Sequence, residues 1–251
     1  MNQRNWMTGF VSIGCFLLMA LVTAGWSGDT VDHTLYGNLL QKYVKDGVVD
    51  YRGLKTEEGT LDQYLDLLDQ TNPDALSRNE QLALYVNAYN AYTLKLILDN
   101  HPVASIKDIG GWLKGPWKIR FCRIGGKAFT LDEIEHEIIR PRFKDPRVHF
   151  AVNCASKSCP PLISEPYQGS TLDEQLDANT RDFLNDPEEN RLEDDTLYVS
   201  KIFKWFREDF GGDVVGFFLE HARDEFKDRL SESRNQINIR YLDYDWHLNG
   251  Q

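Results

Sequence analysis

The sequence predicts one α+β domain, with several helices packed on a small mixed or antiparallel sheet, over residues 25–251. Three observations lead there. Hydrophobic residues make up 41% and aromatic residues 12% of the 251, enough apolar material to offset the entropy of folding one large domain. Segments of helical period are mixed with short strand-like runs. No internal repeat, low-complexity tract or long linker divides them.

The leader comes first. Arg4 precedes the apolar run MTGFVSIGCFLLMALVTAG, which carries no charge until Asp29. Val22-Thr23-Ala24 approximates the small-x-small pattern of a signal-peptidase site, so residues 1–24 read as a secretory signal. The other reading is an uncleaved membrane anchor, since about 18 apolar residues just span a bilayer. Cys15 sits in a poor lipobox. Either reading exports the folded part, to the periplasm or the exterior, with the membrane touched only through the leader.

Along the domain, residues 33–46 read as an amphipathic helix and 48–52 as a short strand. Residues 61–70 are helical by the spacing of their leucines, and Asn72-Pro73-Asp74 breaks them. Ser77 and Glu80 form a capping box opening a long helix over 80–100, which Pro102 ends. Residues 117–122 and 123–129 read as a hairpin around Gly125-Gly126. Thr130 and Glu133 form a second capping box, with a helix to Arg140 before Pro141. A strand over 147–153 then leads into a loop over 154–161. A helix over 172–184, a hairpin over 192–199, helices over 202–210 and 214–227, and a last strand over 237–241 complete the pattern.

Charge excludes one class of partner. Net charge is −11, and no basic stripe is present to displace phosphate counterions, so nucleic acid is not expected. Removing the leader leaves Cys122, Cys154 and Cys159, an odd number in a compartment that permits disulfides. Either Cys154–Cys159 is a bridge closing a small loop, or a thiol is retained for chemistry.

Potential chemistry is densest in DPRVHFAVNCASKSCPPL, where an apolar run delivers His149 to a loop of small, polar and thiol residues. His149 beside Cys154 suits thiol activation: imidazole takes the proton and imidazolium then stabilises thiolate. Backbone N–H groups over 155–158 would form an oxyanion hole, and Asn153, Ser156 and Ser158 are candidate substrate contacts. Against this stand a core histidine with a structural bridge, and a zinc site; Cys-x4-Cys is not knuckle spacing. No metal or other cofactor is expected.

In YVNAYNAY, Asn87 and Asn90 share one face of a helix that is apolar almost all round. Buried carboxamides need partners. One asparagine either orients His149, as in a Cys-His-Asn arrangement, or staples the helix to a loop. Glu135 and His136 are further candidates for substrate binding, with an ion pair as the plainer account. The aromatic stripe of SKIFKWFREDF reads as core.

Taken together, YVNAYNAYTL, LDEIEHEIIRPRF, DPRVHFAVNCASKSCPPL, SKIFKWFREDF and YDWHLN resemble DUF547, a family of unknown function, over about 82–249. The resemblance implies that His149, Asn87, Asn90, Glu135, His136 and Cys154 belong to a shared pattern; it implies no activity. The residues themselves support two readings. One is a thiol-dependent hydrolase or acyl transferase acting on an amide or thioester, of papain or transglutaminase type, with Cys154 as nucleophile and His149 as base. The other is a non-catalytic module of the cell envelope that binds a small molecule or peptide.

Overall fold

The computed structural model describes residues 30–111, 114–234 and 236–251. The leader, its cleavage near Ala24, the anchor alternative and Cys15 lie outside the described residues. Helix α1 (Thr34–Tyr43) runs into a tight hairpin of β1 (Val44–Lys45) and β2 (Val48–Val49). The predicted strand over 48–52 stops at Val49 because Asp50 accepts a hydrogen bond from the Gly53 N–H. That bond caps α2 (Tyr51–Lys55). Helix α3 (Glu58–Gln70) buries Leu61, Tyr64, Leu65 and Leu68 on one face, as their spacing requires.

Helix α4 (Arg78–Asn100) is the axle of the molecule. Ser77 accepts from the Glu80 N–H at its start. Its residues from Leu82 to Leu94 are buried on every face, and α2, α3 and the hairpin that follows it in the chain pack against it. That hairpin, β3 (Cys122–Ile124) and β4 (Lys127–Phe129), turns at Gly125 and Gly126, both with positive φ. Trp117 lies in a 3-10 turn, Pro116–Lys118, and not in the hairpin.

Both halves of the Thr130–Glu133 capping box are present at α5 (Leu131–Glu133). The helix does not stop before Pro141. It widens into a π turn, Ile134–Ile139, and continues as α6 (Arg140–Phe143). Proline lacks an N–H and its ring crowds the carbonyl four residues back, so a wider turn admits it.

The predicted strand over 147–153 is a 3-10 turn, Pro146–Phe150. Asp145 accepts from the Arg147 N–H and curls the backbone into it. The apolar run imitates a buried strand because its residues serve two cores. Val148 enters the core around α4, while Phe150 enters a second core.

Helix α7 (Leu172–Leu184) borders that second core. The mixed sheet follows: β5 (Arg191–Glu193) pairs antiparallel with β6 (Thr196–Val199), and β6 pairs parallel with β7 (Asn238–Tyr241). Helices α8 (Ile202–Trp205), α9 (Val214–His221) and α10 (Asp224–Ser233) sit between β6 and β7 in sequence. Phe150 is 1% exposed and meets Phe183, Phe203, Phe210 and Phe217 at ring distances of 5.3–6.0 Å. The architecture is α+β, but the main helices pack on one another, and the small sheet flanks the second core.

After β7 the chain returns as a strap. Leu248 bridges Ser156, and Gly250 bridges Val49. A Cβ on Gly250 would collide with the Val49 carbonyl, so this approach requires glycine.

Candidate functional site

A cavity of about 390 Å³ opens where the two cores meet. The π turn supplies Glu135 and His136, the 3-10 turn supplies His149, and the following loop supplies Cys154 and Cys159. Trp205 and Phe206 come from the end of α8, and Tyr244 and Trp246 from the strap.

The loop from Ala151 to Pro160 is held from several sides. Asn90 donates to the Ala151 carbonyl (2.9 Å) and accepts from the Asn153 N–H (2.8 Å). Asn153 donates to the Pro160 carbonyl (2.8 Å) and accepts from the Ala155 N–H (2.9 Å). The strap adds bonds from Asn249 N–H to the Ala155 carbonyl and from Lys157 N–H to the His247 carbonyl. These restraints keep Ala155 at φ 60°, a left-handed conformation costly for a residue with a Cβ.

Cys154 is partly exposed on the cleft. Its sulfur lies 3.0 Å from Ser156 Oγ and 3.3 Å from the Tyr244 hydroxyl. Its backbone N–H donates to Cys159 Sγ at 2.9 Å. Hydrogen bonding from Cys159, together with Ser156 and Tyr244, outweighs burial and lowers the Cys154 thiol to about 7. Burial pushes Cys159 the other way, well above the ordinary thiol range. Cys122, Cys154 and Cys159 are free thiols here, so of the two alternatives the sequence leaves open, the Cys154–Cys159 bridge is not the one formed.

His149 is buried, its ring stacked on Phe206 with centroids 4.0 Å apart. Nε2 lies 2.7 Å from Asp209 Oδ2, and Asp209 also takes two bonds from the Arg140 guanidinium, at 2.6 and 3.1 Å. The His149 and Arg140 bonds hold the Asp209 carboxyl well below the usual carboxylate range. An ionised carboxylate only accepts, so the shared hydrogen belongs to Nε2 and a neutral ring has its lone pair on Nδ1. No hydrogen bond joins Cys154 and His149 among the described residues.

Several sequence expectations are corrected by this geometry. Neither Asn87 nor Asn90 orients His149; Asp209 does. Asn90 is spent on the loop backbone, and Asn87 lies away from the cleft, bonded to His33 and to both backbone groups of Tyr167. The N–H groups of Ala155, Lys157 and Ser158 already donate to Asn153, His247 and Asp245, so they form no oxyanion hole. Asn153 and Ser158 spend their side chains on the loop and strap, not on the cleft. Ser156, fully buried, reaches the cleft only through Cys154 and Tyr244.

Glu135 and His136, the further candidates for substrate binding, line the cleft. Glu135 faces the Tyr89 hydroxyl, and Arg140 lies 2.9 Å from His136 Nδ1. Of the stripe read as core, Phe203 and Phe210 are buried, but Trp205 is 46% exposed and forms part of the cleft. Among the described residues no group of three or more His, Cys, Asp or Glu is placed to hold a metal.

Residues 73–184 match the model of DUF547, described as a protein of unknown function. That stretch is similar to DUF547. It spans α4 to α7 and so contains Glu135, His136, His149, Cys154 and Cys159. Asp209, Trp205, Tyr244 and Trp246 complete the cleft from beyond the DUF547 match. No curated protein and no solved structure matches the chain.

Proposed function

We propose that this is an exported cysteine-dependent acyl-transfer enzyme, a hydrolase or acyl transferase acting on an amide or thioester. The observation that carries the reading is the placement of Cys154 on the same cleft as a histidine whose Nε2 is tied to Asp209. That tie keeps Nδ1 as the basic nitrogen.

In this reading Nδ1 takes the Cys154 proton, and the thiolate attacks the substrate carbonyl carbon. The C–N or C–S bond then breaks, and the leaving group takes the proton back from Nδ1. Water or a second acceptor attacks the thioester, loses its proton to Nδ1, and releases the thiolate. Ser156 and Tyr244 hydroxyls stabilise that thiolate. Unliganded sites commonly hold such hydrogen bonds long, and substrate binding tightens them. The apolar run before Asp29 supports export to the periplasm or exterior, by a leader ending near Ala24 or by a retained anchor.

The missing Cys154–His149 bond favours a second reading, an envelope module that binds a small molecule or peptide without turnover. Incubation with p-nitrophenyl acetate separates the two. The enzyme reading expects an acetyl adduct on Cys154 by mass spectrometry and its loss in His149→Asn, with far-UV circular dichroism unchanged. No adduct, together with alkylation of Cys154 at the rate of an ordinary thiol, leaves only the binding module.

A further inference from the structure

The geometry points to a substrate that carries a protonated amine, held between the tryptophans of the cleft and the Glu135 carboxylate. The inference rests on the proposed acyl-transfer reading for the place of the reacting bond, not for the binding itself.

Glu135 is 8% exposed, lines the cleft, and makes no ion pair within 4 Å among the described residues. Arg140 lies within electrostatic reach of it but is already paired with Asp209. A buried carboxylate without a cation is costly, and a ligand ammonium would remove that cost. Asp132 adds a second, more exposed carboxylate on the same wall.

Much of the remaining lining is aromatic. Trp117 and Trp205 each lie 5.8 Å from Trp246, and Tyr244 lies 4.5 Å from it. Ring faces attract ammonium groups, and Trp246 already does so: Lys107 Nζ sits 4.3 Å from its centroid. Lys118, on the exposed rim, the two histidines, the Cys154 and Cys159 thiols and the Tyr89 and Tyr244 phenols are the other charged or titratable groups lining the cavity. An exposed ammonium is screened by water far more than the buried Glu135. The net charge of −11 also favours the approach of cations.

Thiol reagents that differ only in charge test this at Cys154. Methanethiosulfonates with aminoethyl, methyl and sulfonatoethyl groups each transfer their thioalkyl group to the thiolate and release methanesulfinate. With rates normalised to free cysteine, the cationic reagent should outpace the neutral one by about fivefold, and the anionic one should lag. The cation-to-neutral ratio should fall toward one in Glu135→Gln and partway in Asp132→Asn. Equal rates for the three reagents, or a faster anion, overturn the inference.

A second measurement needs no thiolate: titration of tryptophan fluorescence with n-butylammonium against n-butanol. A saturable change with the ammonium alone, weakened in Glu135→Gln, supports the inference. Equal responses, or none, overturn it. A Cys154 unreactive to all three reagents beside a saturable butylammonium response sinks the enzyme reading and leaves the binding inference standing.

Discussion

Replacing Asn90 with alanine removes two hydrogen bonds at once. The carboxamide is 2% exposed and bonds the Ala151 carbonyl at 2.9 Å and the Asn153 N–H at 2.8 Å. Each backbone group left unpaired costs about 1–3 kcal/mol, and water entering the vacated space recovers part of that. The expected loss is about 3 kcal/mol, a fall in Tm of roughly 6–12 °C for a protein of this size. Urea unfolding at pH 7 measures it as a lower midpoint at unchanged slope. Hydrogen exchange should show earlier opening at 151–155 than in α7, which Asn90 does not touch. A loss below about 1 kcal/mol refutes the reasoning, because the pair would then be replaceable by water.

Other perturbations read other parts of the molecule. Asp209→Asn should destabilise by about 2 kcal/mol at pH 7, since it weakens charged bonds to both His149 and Arg140. Because the folded Asp209 carboxyl is depressed, its contribution is present above the unfolded value, about 4, and is lost as pH falls below it. The wild-type and variant stability curves should therefore converge in acid; a constant gap would contradict this. Tyr244→Phe removes a hydroxyl from Cys154 and should move the alkylation midpoint up from about 7 by about one unit. An unmoved midpoint would assign the lowering to Cys159 and Ser156 alone. Phe150→Ala should cost about 3–5 kcal/mol in chemical denaturation, and less than about 2 would show that the second core collapses around the gap.

What could be read beforehand was local. The bounds of α7, both central hairpins and the Thr130 capping box depend on neighbours a few residues apart, and the spacing of leucines, glycines and cap residues records them. What escaped depends on distant partners. The run around His149 has the composition of a buried strand, and only the existence of two cores explains why Val148 and Phe150 are both buried in a 3-10 turn. Asp209 lies 60 residues from His149, and nothing near it in the chain marks it apart from any other acidic residue. Asn87 and Asn90 were legible as buried groups in need of partners, but their choice of backbone over histidine was not. Trp205 shows the same limit: an aromatic residue written in a stripe does not say whether the stripe faces a core or a cleft.

The strap has a consequence for how the protein is made. Asn153 and Asn249 are 96 residues apart, yet Asn249 closes the network that includes Ala155 and Tyr51. A ribosome releases the Cys154 loop long before it adds Asn249, and synthesis proceeds at about 5–20 residues per second. For several seconds the nascent chain holds Cys154 without Tyr244, Trp246 or the strap that pins its loop. Maturation of the cleft therefore waits for the strap, and a chain stalled before Tyr244 carries the cysteine without the site.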